Sequence, residues 1–234
     1  MTKNHSQRKG ANIQGARKRK KLLAAAGEAF AKLGFEAATM RDIAKIARVQ
    51  PSALIYHFDN KKNLFYETLR HHLQDNPSIA ALFAPLDAVK KPTPAALSEA
   101  IYATTKNVIA AIFGPEGKVP HLRGLVITML IDGDKSGNYI IKEFGVHSMT
   151  KADEILSKIK PGLDRDDLFW ARHFYWSMIL YLVLCEKLLL AHTDDKQYSA
   201  EFLESYAYRM TAAYCDRFGL PSPKTPSGAG AARD

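Results

Sequence analysis

Apolar residues recur along this chain at three- and four-residue spacing, and no stretch shows sustained alternation of apolar and polar positions, so the pattern predicts an all-α fold. A first helix runs from about Ala16 to Leu33, with Leu23, Ala26, Phe30 and Leu33 on one face and Gly34 as the stop signal. Thr39 can cap a short helix carrying Ile43, Ala44 and Ala47. The pattern breaks around Val49–Pro51, because the residue before a proline is pushed out of the α region. It restarts with Pro51 or Ser52 in the first turn and Leu54 and Phe58 as an apolar stripe. Asn60 caps a fourth helix bearing Leu64, Phe65, Leu69 and Leu73, which frays near Asn76-Pro77.

Beyond a proline-rich stretch with a short helix at Ile79–Phe83, Thr93-Pro94 starts a long helix that reaches Phe113 and stops at Gly114-Pro115. Helices are expected at about His121–Ile131 and, after a polar turn at Asp132–Gly137, over Asn138–Lys160 with an interruption at Gly145. Asp164, followed by Asp166 and Asp167, opens a helix from Leu168 to His192 that is apolar on nearly every side. The last helix, Ser199–Phe218, places Leu203, Tyr206, Met210, Ala213 and Tyr214 at three–four spacing before Gly219. Residues 1–15 are polar and basic without periodicity, and 221–234 are rich in Pro, Gly and Ala; both read as disordered tails.

Two short helices joined by a tight turn over Thr39–Lys61 are the layout of a helix-turn-helix, whose second helix enters the DNA major groove. Gln50, Ser52 and Tyr56 offer hydrogen bonds to base edges, while Ala53 and Ile55 can touch thymine methyls and His57 and Lys61 can reach phosphates. The same spacing also occurs in ordinary helical hairpins, so by itself it leaves both readings open.

The order Gly34-Phe35, Thr39, Arg41-Asp42-Ile43-Ala44, Ala47, Val49, Leu54, Tyr56-His57-Phe58, Lys61 and Leu64 resembles the amino-terminal signature of the TetR family of transcriptional regulators, over roughly residues 15–65. The resemblance implies Thr39, Arg41, Gln50, Pro51, Ser52, Ala53, Ile55, Tyr56, His57 and Lys61 as the DNA-facing set. Where many members carry a second aromatic beside the tyrosine, this chain has Ile55, which makes that contact apolar. The implied organisation is a basic arm over 1–15, a helix-turn-helix domain over 16–60, a helical ligand-binding and dimerisation domain over 61–220, and a tail over 221–234.

Charge sharpens this picture. Residues 1–62 hold 14 Lys/Arg against 4 Asp/Glu, and the other 172 hold 19 against 20. The basic excess therefore sits on the segment read as DNA-binding, as phosphate attraction requires. Cys185 and Cys215 lie thirty residues apart without a C-x-x-C pattern, which reads as two reduced thiols. The amino terminus lacks an apolar signal core, and the apolar run Phe174–Cys185 is too short to span a bilayer. A cytoplasmic protein without a membrane partner is expected.

A helix greasy all round must be buried all round. The helix over 168–192 thus asks for its own core on one side and a second protein surface on the other. With the last helix it can form a four-helix bundle between two copies, a mode that TetR-like proteins share. Trp176, Leu180, Leu184, Leu203, Tyr206, Met210 and Tyr214 are the expected dimer contacts. By the same resemblance, the middle helices enclose an effector pocket. Tyr102, Thr105, Ile109, Phe113, Leu125, Met129, Phe144, Trp176 and Met178 are candidates to line it for an apolar or aromatic ligand, and each serves equally as plain core.

Catalysis finds no support: there is no phosphate loop, no G-x-S-x-G and no H-E-x-x-H. Glu143 and His147 at i, i+4 fall two ligands short of a metal site, and His71-His72 reads as a solvated face, so no metal or cofactor is expected. The expectation is a homodimeric repressor of a palindromic operator, released by a small ligand. An architectural DNA-binding protein without an inducer is the alternative.

Overall fold

The computed structural model describes residues 3–114, 119, 121–131, 146–191 and 197–225, and all elements among them are helical. Helix α1 spans Lys3–Ala37, α2 Met40–Ala47, α3 Pro51–Phe58 and α4 Lys61–Leu69, the last continuing into a π turn at Arg70–Gln74. Then come α5 (Pro77–Leu82), α6 (Ala84–Asp87), α7 (Pro94–Phe113), α8 (Leu122–Ile131), α9 (Val146–Ile159), α10 (Arg165–Leu184), α11 (Glu186–Ala191) and α12 (Ala200–Arg217).

The chain divides into two compact units, Met1–Asn76 with Pro120–Ile141 and Pro77–Val119 with Lys142–Asp234. Residues 61–76, expected with the second domain, lie in the first.

In the first unit, α1 is the central rod. Leu22, Leu23, Ala26, Ala29 and Phe30 are buried, and α2, α4 and α8 pack against it. Phe30 meets the Phe65 ring edge-on, with centroids 4.9 Å apart, and Phe35 closes the cluster at 5.0 Å from Phe65. The helical path breaks at Gly34, where φ is 76°, a value glycine adopts without the penalty a side chain would bring. That break is the stop expected there. Helix α8 sits so close to α1 that a Cβ on Gly124 would meet Ala31 at 2.6 Å. Thr128 Oγ1 donates to the Phe30 carbonyl at 3.0 Å across the same contact.

Helix α1 begins at Lys3, not near Ala16, although residues 1–15 read as disordered. Gln7, Arg8, Lys9, Ala11, Gln14, Ala16 and Arg17 are strong helix formers. A helix can extend there on propensity and on the turns that follow it, with no apolar stripe to announce it.

In the second unit, α7 is flanked by α6, α9 and α12. Leu97, Ile101, Val108 and Ile109 of α7, Ile155 and Leu156 of α9, Tyr175, Ile179, Leu182 and Val183 of α10, and Met210 and Tyr214 of α12 form its core. A polar thread runs through it. The Thr105 and Tyr175 hydroxyls lie 3.1 Å apart, and Thr211 donates to Thr105 at 3.3 Å. Arg172 pairs with the mostly buried Asp153. Burial raises the Asp153 carboxyl, and the Arg172 hydrogen bond and charge pull it partly back.

The helix expected from Leu168 to His192 is two helices, bent at Cys185 (φ −101°, ψ 20°) while hydrogen bonds continue across the bend. Residues 138–145 and 226–234, including the interruption read at Gly145, lie outside the described residues, as do Phe144 and the side chains of Glu143 and His147. Residues 221–225, expected to be loose, are docked: Pro223 is buried, the Lys224 amide donates to Glu99 at 2.8 Å, and the Thr225 hydroxyl lies 3.3 Å from that of Tyr208. A carboxylate on α7 and a phenol on α12 satisfy polar groups that the sequence shows only as a Pro-rich end.

Candidate nucleic-acid interface

Thr39 caps α2 through a capping box: its hydroxyl accepts from the Asp42 amide at 3.1 Å, and the Asp42 carboxylate accepts from the Thr39 amide at 3.1 Å. The hydrogen bonds from Thr39 hold the exposed Asp42 carboxyl below the usual carboxylate range. Arg48 ends α2 in the left-handed conformation (φ 56°, ψ 50°) and turns the chain toward α3. Gln50 then occupies the N-cap of α3 with no side-chain cap hydrogen bond, and Pro51 takes the first turn.

Leu54 and Phe58 of α3 are buried, which turns the opposite face outward. Ile55 is 53% exposed and Tyr56 84%, with Ser52 exposed beside them and Ala53, Pro51 and His57 half-buried. Side by side, Ile55 and Tyr56 give the outward face of α3 an aliphatic and a phenolic group, a surface that can meet base edges. Arg41, Lys45 and Arg48 are exposed on and just after α2, and Arg17, Lys18, Lys20 and Lys21 on α1.

Two cations are committed to architecture. Arg19 lies 4.9 Å from the centroid of the Phe58 ring and 3.3 Å from Glu67, bracing α1 against α3 and α4. Lys61, a sequence candidate for phosphate contact, donates instead to the Phe35 carbonyl at 2.9 Å and the Glu36 carbonyl at 3.1 Å, with its ammonium 4.5 Å above the Phe35 ring. Those carbonyls belong to the last turn of α1, which ends at Ala37 and leaves them without helical partners, and the first residue of α4 supplies a donor. His72, read as solvated, is buried, its Nε2 3.3 Å from the Leu23 carbonyl. Gly27 makes the room, since a Cβ there would stand 2.5 Å from that nitrogen.

Residues 22–68 match the model of bacterial regulatory proteins of the tetR family. The amino-terminal domain is a TetR-family domain. The HTH-type transcriptional repressor KstR2 of Rhodococcus jostii (strain RHA1) is 41% identical over 58 residues, which cover 25% of this chain and only 28% of that protein. A crystal structure described as that of a TetR-family transcriptional regulator from Mesorhizobium loti MAFF303099 superposes with a TM-score of 0.62 at 20% identity, covering 86% of this chain and 96% of the other. A transcriptional regulator from Rhodococcus sp. Rha1 gives 0.61 at 19% identity, over 85% and 96%. At such identities the likeness is one of fold alone.

The remaining candidates fall in both units. Leu125 and Met129 are buried on α8, in the TetR-family unit. Tyr102, Thr105, Ile109 and Phe113 lie on α7 and Trp176 and Met178 on α10, in the other. Thr105 is engaged by Tyr175 and Thr211, whereas the buried Tyr102 hydroxyl has no hydrogen-bond partner among the described residues.

Of the expected dimer contacts, Met210 and Tyr214 are buried in the chain's own core, Tyr214 only 1% exposed, and cannot also form an outer surface. Trp176, Leu180, Leu203 and Tyr206 are half-buried, and the Tyr206 hydroxyl donates to the Met178 carbonyl at 2.7 Å. Leu184 is 50% exposed. Sequence reasoning missed its neighbours: Trp170, 65% exposed, with Phe174, Tyr181 and, on α11, Leu188. The spacing of 4, 7 and 3 residues from Trp170 through Phe174 and Tyr181 to Leu184 places these four on one face of α10, and Leu188 follows past the bend on α11. It was visible in the sequence, but nothing there tells which of two apolar faces the chain covers itself.

Proposed function

We propose that this chain is a transcriptional regulator that binds a palindromic DNA site as a homodimer and represses the adjoining genes until a small apolar or aromatic effector releases it. The observation that carries the reading is the outward face of α3, uncharged and partly apolar, set between exposed cations in a domain of the tetR family. Phosphate contacts from Arg41, Lys45, Arg48 and the α1 lysines position the domain, and α3 reads the bases. The expected test is a gel shift with duplex from beside its own gene. Binding should weaken steeply with salt, by a log–log slope of about 0.9 for each phosphate neutralised. Salt-insensitive or absent binding defeats the proposal.

Pairing of two copies is supported by the stripe of Trp170, Phe174, Tyr181, Leu184 and Leu188, since contiguous exposed apolar surface marks a binding face. Two reading helices in one dimer then match half-sites about 34–36 Å apart. Effector release is supported by the buried hydroxyl of Tyr102, which has no hydrogen-bond partner among the described residues, a state in which native proteins rarely leave such a group. A ligand shifts the equilibrium only by preferring the conformer that does not bind DNA. A thermal-shift screen that finds no compound both stabilising the protein and weakening operator binding removes this second part. The proposed setting is the cytoplasm; among the described residues no helix is long and apolar enough to cross a membrane.

A further inference from the structure

We infer that α3 selects a half-site whose central major-groove contacts are A·T pairs, with the Gln50 amide reading adenine and Ile55 seated against a thymine methyl. The inference rests on the DNA-binding reading above and adds the class of base that the helix accepts.

The first observation is what α3 lacks. Pro51–Phe58 contains no arginine or lysine. The commonest specific contact in the major groove is a bidentate Arg or Lys on the O6 and N7 of guanine, and this helix cannot make it. Exposed cations of the head sit elsewhere, among them Lys20 and Lys21 on α1, Arg41 and Lys45 on α2, and Arg48 at the turn. The first helix of a helix-turn-helix crosses the backbone, so those charges meet phosphates, which carry no base information.

The second observation is what α3 offers. Gln50 stands at the N-terminal end, the end that reaches base edges, and its side chain is not spent on capping. Ser, Thr, Asp or Asn at this position would bend back onto the free amides. The longer glutamine leaves one donor and one acceptor at a separation that suits adenine N7 and N6. Five residues on, Ile55 projects an aliphatic surface next to Tyr56. Thymine is the base with an apolar group in the major groove, so a bare isoleucine gains surface burial against a T and nothing against a C. Asp59 closes α3, exposed and acidic, and its repulsion from phosphate favours entry by the Gln50 end.

The test is selection of full-length protein on a randomised duplex library, followed by base-analogue substitution in the selected site. The expected pool is enriched in A·T at the central positions of each half-site. Replacing the contacted thymine by deoxyuridine removes only the methyl and should weaken binding about fourfold, the value of one buried methyl group. The same replacement should leave Ile55→Ala unaffected. Gln50→Ala should lose roughly tenfold or more in preference for adenine at one position while keeping its salt slope. Because the uracil substitution alters the DNA and not the protein, it stands even if a variant folds poorly. Central G·C enrichment, or a uracil site bound as well as thymine, overturns the base assignment while DNA binding survives. Salt-dependent binding with no enrichment does the same. A library that is not bound at all sinks the DNA reading and this inference with it.

Discussion

Replacing Lys61 with methionine separates a structural role from a phosphate contact. Methionine keeps most of the aliphatic stem and removes the ammonium, with its hydrogen bonds to the Phe35 and Glu36 carbonyls and its place over the Phe35 ring. A hydrogen bond with a charged donor contributes about 1.5–3 kcal/mol in a protected site, and a cation over an aromatic ring about 0.5–1 kcal/mol at an exposed one. One of the two carbonyl contacts is exposed, so solvent screening reduces the sum to about 2 kcal/mol. With a urea dependence near 2 kcal/mol/M for a unit of this size, the midpoint should fall by about 1 M. The two tryptophans, Trp170 and Trp176, both lie on α10 in the other unit. Far-UV circular dichroism should therefore register the early loss of the TetR-family unit before tryptophan fluorescence changes. Salt titration of DNA binding supplies the second reading. A structural Lys61 leaves the slope unchanged after correction for folded fraction; a phosphate-binding one lowers it by about 0.9. An unshifted midpoint together with a lowered slope would refute the structural role.

Gly27→Ala drives a Cβ to 2.5 Å from His72 Nε2 and should cost about 1–3 kcal/mol by overpacking, measured as a urea midpoint and partly restored by adding His72→Ala. Burial, ahead of the neighbouring His71 and His121, holds the His72 imidazole below its ordinary pKa of 6.5, while its bond to Leu23 opposes the shift. The unfolded chain therefore binds the proton first, and this stabilisation, full above about pH 6.5, drains away as pH falls through that value toward the lower native pKa. Midpoints from pH 7.5 to 5 should show that loss, and His72→Gln should flatten it. Arg172→Met strands the buried Asp153 carboxylate and should destabilise by about 3–5 kcal/mol, well beyond the double variant Arg172→Met/Asp153→Leu, in thermal or urea melts. Leu184→Glu places a charge in the exposed stripe and should give a folded monomer by sedimentation, whereas Tyr214→Glu should unfold the chain instead.

The amino-terminal half of the fold was legible because its signals are local. A capping threonine, a proline at the start of α3 and a glycine after Leu33 each act within one helical turn, and each lies where its chemistry places it. The same holds for Thr93 and Asp164, whose side chains accept the expected hydrogen bonds at the heads of α7 and α10, and Ser199, read only as a helix start, does the same for α12. The outward face of α3 was equally plain, since two buried residues four apart fix which way the remaining ones point.

Assignments failed wherever a residue had two possible partners at a distance. Lys61 could meet a phosphate or a broken helix end, and only the position of Phe35 and Glu36 beneath it decides. His72 could be wet or buried, and the deciding atom is the one that Gly27 lacks. Tyr214 and Leu184 carry the same apolar signal on the last long helices, yet one fills the core and the other faces out. Periodicity determines that a helix has an apolar face, because that follows from 3.6 residues per turn. Which neighbour covers it depends on contacts between segments far apart in the chain, and those exist only once the chain has folded.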